Sequence, residues 1–229
     1  TTLAALLTAE NNWADAKAAY RRAAELSPLG RGAHLKYVEF LVLRGETREA
    51  TAHLESLARQ QPDYLPTGIA QAQLALAEKR IADAETRLAA ALTRWPTSYE
   101  ARLLRAQLEV LRGDHAGAIA TLQALATSHP GLFPDKLLLA RVYSQLQDTA
   151  RAIPLLEGVF HANPDQLDAA VALAQLHLRE QRPAPAAELM MRVLLRHPGF
   201  PLAQQILGTA LRQQGRADDA VAWIQTQLR

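Results

Sequence analysis

The sequence predicts an all-α array of antiparallel helical hairpins, one hairpin every 34 residues. Three observations predict it. Alanine recurs at a step of 34 at Ala16, Ala50, Ala84, Ala118, Ala152, Ala186 and Ala220, without a miss. Proline keeps the same step at Pro28, Pro62, Pro96, Pro130, Pro164 and Pro198, so six of the twelve prolines lie on one grid. Within each period, apolar residues recur at helical spacing in two blocks separated by a glycine or polar break. An array grows by stacking such units, so the 229 residues need no single closed core.

Each period reads as two helices. In the fourth, Arg102 to Arg112 form the first helix and His115 to Ser128 the second, with Gly113 between them. The break slot holds Gly45, Gly113 and Gly215, with Asn11, Lys79, Gln147 and Gln181 in the other periods. Glycine suits a helix C-terminus because it has no Cβ to clash at positive φ. Thr47, Asp114, Asp148 and Thr149 follow as cap formers, able to accept from the free N–H groups of the next turn. The grid prolines then stop each second helix, since proline lacks an N–H and disfavours a helical residue before it. Off the grid, Pro66, Pro134 and Pro201 sit at first-helix starts, and Pro183 and Pro185 at a second-helix start, where the missing N–H costs little. Pro154 lies about one turn inside its helix and predicts a slight bend. Asp218 and Asp219 read as the start of the last helix, where acids favour the dipole.

The alanine at every second-helix slot has a packing reason. A methyl group lets the two helices of a hairpin approach at the short end of the usual range of about 8–10 Å. The facing first-helix slot is also small: Ala4, Ala72, Ala106, Ala140, Ala174 and Gly208, with Val38 the largest. Four residues past each alanine comes a large anchor: Tyr20, Leu54, Leu88, Leu122, Leu156, Met190 or Ile224. Ala118→Leu is therefore expected to overpack this contact and cost about 1–3 kcal/mol, measured as a lower melting temperature.

Small residues at the eighth and twentieth slots, a bulky one at the twenty-fourth and proline at the thirty-second resemble the tetratricopeptide repeat. The resemblance covers the chain as about seven units: 1–30, 31–64, 65–98, 99–132, 133–166, 167–200 and 201–229. The family's early tryptophan slot holds His34, Gly68, Arg102, Lys136, Ala170 and Gln204, and its mid-helix tyrosine slot is aromatic only at Tyr143. Such divergent copies depend on their neighbours for stability.

The resemblance implies a right-handed superhelical solenoid whose first helices line a concave, ligand-bearing face. On that register the concave triplets are Leu35, Glu39, Val42; Ile69, Gln73, Leu76; Leu103, Gln107, Val110; Leu137, Arg141, Ser144; Val171, Gln175, Leu178; and Gln205, Thr209, Arg212. They describe an apolar groove with a polar ladder of Glu39, Gln73, Gln107 and Arg141. That strip suits an amphipathic helix or an extended segment of a protein partner. The same apolar residues also fit a role as core between adjacent hairpins, and both readings stand at this point. Toward the far end Arg141, Arg179 and Arg212 add positive charge, consistent with an acidic partner segment or with solvated helix charges. The family's clamp for a C-terminal carboxylate uses lysine and asparagine; the groove lacks them apart from Lys36 near its start, which argues against a chaperone-tail adaptor.

Composition narrows the function classes. Lys and Arg number 25 against 23 Asp and Glu, and a net charge of +2 is not the dense positive face of a general nucleic-acid binder. No apolar run approaches the roughly 18 residues of a membrane span, so no direct membrane insertion is expected. Without cysteine there is no disulfide, thiolate nucleophile or zinc ribbon. The histidines, at positions 34, 53, 115, 129, 161, 177 and 197, form no H-x-x-x-H or HExxH pair, and G-x-S-x-G, P-loop and G-x-G-x-x-G motifs are missing. No catalytic residue, metal or cofactor is expected. Arg112, Gly113 and Asp114 spell an adhesion tripeptide but occupy the ordinary break between helices.

The expected function is a non-enzymatic protein-binding scaffold; the alternatives are an RNA-binding helical-repeat module and an accessory domain of a larger enzyme. The divergent Ala-, Leu-, Arg- and Gln-rich units are also similar in style to repeat arrays of bacterial exopolysaccharide export proteins. That similarity implies a periplasmic place in biofilm secretion and recruitment of polysaccharide-modifying enzymes. The chain opens at Thr1 inside a first helix, most of which is expected to be missing, and reads as part of something longer. Trp223 and Leu228 call for cover at the other end, and exposed terminal repeats predict end-to-end self-association.

Overall fold

The structure, a computed structural model, describes residues 2–29 and 31–216. These residues form thirteen α-helices and no strand. The chain divides into two compact units, Thr1–Leu108 and Glu109–Arg229. In the first, α1 (Thr2–Ala9) packs on α2 (Trp13–Leu26), α3 (Gly32–Leu43) on α4 (Thr47–Gln60) and α5 (Leu65–Ala77) on α6 (Ile81–Arg94), and most of α7 (Tyr99–Leu111) follows. The second contains α8 (His115–Ser128), the hairpins of α9 (Pro134–Gln145) with α10 (Thr149–Ala162) and α11 (Leu167–Arg179) with α12 (Pro183–Arg196), and α13 (Pro201–Gln213). The eighth helix matches its expected bounds, whereas α7 starts three residues before Arg102, at Tyr99, and stops at Leu111. The first helix keeps eight residues, more than the fragment expected. The expectations for Asp218, Asp219, Ala220, Trp223, Ile224 and Leu228 lie outside the described residues.

The break between helices is built the same way in every hairpin. Gly45, Gly113 and Gly215 have φ of 72°, 78° and 74°, and Asn11, Lys79, Gln147 and Gln181 have φ of 58°, 61°, 58° and 56°. Around Gly45, its N–H donates to the Val42 carbonyl at 3.0 Å and the Glu46 N–H to the Leu41 carbonyl at 2.8 Å. This pair of bonds closes the last open carbonyls of the helix only if one residue turns left-handed. The pair recurs at Gln147 with Asp148 and at Lys79 with Arg80. A side chain with a Cβ is strained there, so Gln147→Gly and Lys79→Gly are each expected to stabilise by about 0.5–1 kcal/mol. Thermal unfolding of the single variants measures it, and a lowered melting temperature would contradict the strain.

The helix starts partly correct the sequence. Asp114 accepts from the Gly117 N–H at 2.9 Å and Asp148 from the Arg151 N–H at 3.1 Å, so both cap as expected. Thr47 and Thr149 do not cap. Each is the first helical residue, one place beyond the caps Glu46 and Asp148. The second helices end as the prolines require: Gln61, Trp95, His129, Asn163 and His197 each precede a grid proline. Their φ/ψ values lie outside the helical region, as at Trp95 with φ −128° and ψ 69°.

All six described grid alanines, Ala16 to Ala186, are fully buried, and the anchors Leu54, Leu122 and Met190 are fully buried beside them. In the first unit one cluster gathers Ala4, Ala16, Tyr20, Val38, Leu41, Ala50, Leu54 and Leu57, and another gathers Ile69, Ala72, Ala84, Leu88 and Leu104. His34, in the family's tryptophan slot, is buried by a substitute arrangement. Its Nε2 donates to the Ser27 carbonyl at 3.2 Å, which leaves Nδ1 to accept from Nε2–H of His53 at 3.3 Å. Tyr37 meets the His53 ring edge-on, with centroids 5.3 Å apart.

Burial, and then the neighbouring His34, hold His53 below the ordinary histidine value of 6.5. The unfolded chain therefore takes up a proton that the folded one resists. The contribution is complete above 6.5 and is lost as pH falls from there through the lower folded value. Glu49 acts in a separate window. Bonds from Lys17 and then Tyr37 lower it from 4.5 to about 2, so its contribution is lost only as pH falls through that more acid range. The melting temperature is expected to fall between about pH 7.5 and pH 5.5, and to fall less in His53→Gln. His177, also lowered by burial, supports the remainder.

Candidate partner-binding clefts

Residues at i, i+4 and i+7 share one helix face, so each first helix shows a central side chain between two flanks. The central positions Glu39, Gln73, Gln107, Arg141 and Gln175 are all exposed. Their flanks Leu35, Val42, Leu76, Leu103, Val110, Leu137, Val171 and Leu178 are half-buried, whereas Ile69 is buried at 8% exposure. These apolar residues are therefore divided between core and surface. Leu35 and Val42 touch one core cluster and Leu76 the other, while part of each side chain stays open. On α13, Gln205 and Arg212 are exposed, and Arg212 donates to the Thr209 hydroxyl at 3.4 Å.

Each unit brings some of these residues into a cleft of its own. In the first unit a cleft of about 590 Å³ runs between α3 and α5. Leu35, Glu39 and Val42 form one wall and Ile69 and Gln73 the other. In the second unit a cleft of about 760 Å³ gathers Leu137, Arg141 and Ser144 from α9 with Val171, Gln175, Leu178 and Arg179 from α11. Leu76, Leu103, Gln107, Val110 and Arg212 are not in the walls of either cleft. The sequence reading missed Leu65, Pro66, Ala70 and Glu100 in the first cleft, and Asp168 and Ala172 in the second. Several of these sit in the opening turn of a first helix, one turn before the triplet. Extending each triplet back by one turn finds Leu65 and Asp168.

The two clefts differ in charge. Glu39 and Glu100 are the charged residues lining the first, and Glu39 accepts from Lys36 Nζ at 2.7 Å. The second is lined by Arg141, Arg179 and Asp168, all exposed. A further hollow in the second unit, about 490 Å³, is lined by Phe160, Leu173, His177, Leu189, Arg192 and Arg196 among others. There the Arg192 guanidinium lies 5.5 Å from the Phe160 ring centroid, and Arg196 makes two 3.0 Å bonds to the Asp165 carboxylate. Among the described residues no group of three or more His, Asp or Glu side chains is placed to hold a metal ion. No helix among them is long and apolar enough to cross a membrane. The Arg112–Gly113–Asp114 tripeptide is a helix break, with Gly113 at positive φ and Asp114 capping α8.

A family model described as tetratricopeptide repeat matches residues 7–74 and 143–208, and a second of the same description matches residues 69–132. No curated protein sequence matches the chain. Among solved structures, a tetratricopeptide repeat protein from Parabacteroides merdae ATCC 43184 is similar at 18% identity and a TM-score of 0.70, covering 92% of this chain and 82% of that one. Pseudomonas aeruginosa pilF is similar at 17% identity and 0.67, covering 86% and 91%. The APC/C hetero-tetramer Cut9-Hcn1 is similar at 16% identity and 0.68, covering 91% of this chain and 42% of that one. At these identities the likeness is one of fold. None of the three is described as an exopolysaccharide export protein.

Proposed function

Because this chain belongs to the tetratricopeptide repeat family, we propose that it is a non-enzymatic scaffold that docks protein segments in the clefts between successive first helices. One observation carries the reading: each exposed polar residue of the ladder has at least one apolar flank left half open, and Glu39, Gln107 and Gln175 have two. Apolar area that neither the core nor a neighbouring hairpin covers fully is area a partner can cover. The exposed glutamines between the flanks then supply hydrogen bonds that fix register without a fixed charge. An amphipathic helix laid in such a cleft presents apolar anchors at i, i+3 or i+4 and i+7, the same period the cleft walls follow.

Site-specific photo-cross-linking tests the proposal. A benzophenone amino acid placed at Gln73 or Gln175 reports from a cleft, and one at the exposed second-helix residues Arg59 or Ala162 reports from outside. In an extract of the source cells, the cleft positions are expected to capture one discrete protein that the outer positions do not. Adducts formed only from the outer positions would overturn the reading.

A further inference from the structure

The two arginines of the second unit's cleft differ in place and in pairing from the arginines that hold the hairpins together. Four arginines, for example, hold a carboxylate: Arg21 with Glu49 at 2.7 Å, Arg87 with Asp83 at 3.0 Å, Arg94 with Asp63 at 2.5 Å and Arg196 with Asp165 at 3.0 Å. All four of these arginines lie on second helices. Arg141 and Arg179 lie on the first helices α9 and α11, line one cleft and are exposed. Neither is in an ion pair with a described residue. Asp168, the acid in the same cleft, pairs with neither of them. It stands in the first turn of α11, where a carboxylate offsets the positive end of the helix dipole.

We infer that the cleft between α9 and α11 selects an acidic protein segment, one that places apolar anchors against Leu137, Val171 and Leu178 and carboxylates against Arg141 and Arg179. The inference rests on the docking role proposed above and adds the charge of the partner. A guanidinium offers a planar fork of donors that matches a carboxylate, and exposure leaves both forks free to make that match. The apolar walls around them lower the local dielectric once a segment is seated, which strengthens the pairing. The first unit supplies the opposite pattern on the same kind of framework, with Glu39 and Glu100 and no cation in its cleft walls. The fold alone therefore does not dictate the positive charge; the residues of this cleft do.

The test uses the full chain and two helix-forming peptides of about 18 residues with the same leucine anchors, one with glutamate and one with lysine at the flanking positions. Fluorescence anisotropy is expected to show the glutamate peptide binding about tenfold or more tightly than the lysine peptide, with a difference that shrinks as salt rises. Arg141→Glu combined with Arg179→Glu is expected to remove or invert the preference. Arg59→Glu, at an exposed second-helix arginine outside both clefts, is expected to leave the glutamate peptide's affinity unchanged. Both variants alter exposed side chains, and circular dichroism confirms that they fold.

Equal affinity for the two peptides overturns the inference. If Val171→Glu weakens both equally, the docking role stands and the charge selection alone falls. If neither peptide binds, both fall. A single-stranded RNA probe is run at about 50 and 200 mM salt. RNA that displaces the glutamate peptide, and that loses binding in the arginine double variant, would make the cleft a nucleic-acid site and overturn the inference.

Discussion

Leu54→Ala is expected to cost about 2–5 kcal/mol and to lower the melting temperature by about 10 °C. Leu54 is fully buried, four residues after Ala50, in a cluster that also contains Tyr37, Val38, Leu41, Leu57 and Leu74. Those neighbours come from α3, α4 and α5, so the side chain ties a hairpin to the next one as well as closing its own. Truncation removes its apolar contact area and leaves a cavity whose walls are held on three helices, which limits collapse. Thermal unfolding followed by circular dichroism measures the loss. A change within about 0.5 kcal/mol would place Leu54 outside the core.

Ala84→Leu is expected to destabilise by about 1–3 kcal/mol from the opposite cause. Ala84 on α6 and Ala72 on α5 are both fully buried in one cluster with Leu88. Two methyl groups at facing slots allow the helices to sit close, so three added carbons have no space to enter without pushing α5 and α6 apart. A surface substitution of the same kind, Ala89→Leu on the exposed side of α6, should change little. The contrast between the two variants isolates packing from helix propensity. Equal melting temperatures for both would show that the 34-residue alanine marks something other than a close contact.

Much of the fold was legible because it is written locally and repeated. Ala, Pro and the break residue each mark one slot, and each obeys a short-range rule: close approach, loss of an N–H, or a left-handed turn. Asn11, Lys79, Gln147 and Gln181 show the strength of the register, since they share the glycines' slot and take the same left-handed turn although their side chains disfavour it. The caps were less legible. Thr47 and Asp114 look alike as oxygen-bearing residues after a break, and a shift of one residue decides whether the side chain accepts or simply starts the helix.

The clefts were legible on the triplet positions and incomplete beyond them. Glu39, Gln73, Arg141 and Gln175 followed from the register that the family resemblance implies. Glu100 and Asp168 did not, because their place depends on how the opening turn of one first helix lies beside the preceding one, which no single helix encodes. The pairing of His34 with His53 was equally hidden, since the two lie 19 residues apart on different helices. The grouping of Arg141 with Arg179, but not with Arg212, likewise required the stacked structure.

The chain has no cysteine, so single cysteines can be introduced at Gln73, Gln175, Arg59 and Ala162 without background. Their rates of maleimide modification, with and without the protein captured by cross-linking, test the docking role most directly. The partner is expected to slow modification in the clefts, at positions 73 and 175, by about tenfold or more, and to leave positions 59 and 162 unchanged. Protection of the outer positions with free reaction in the clefts would contradict the account.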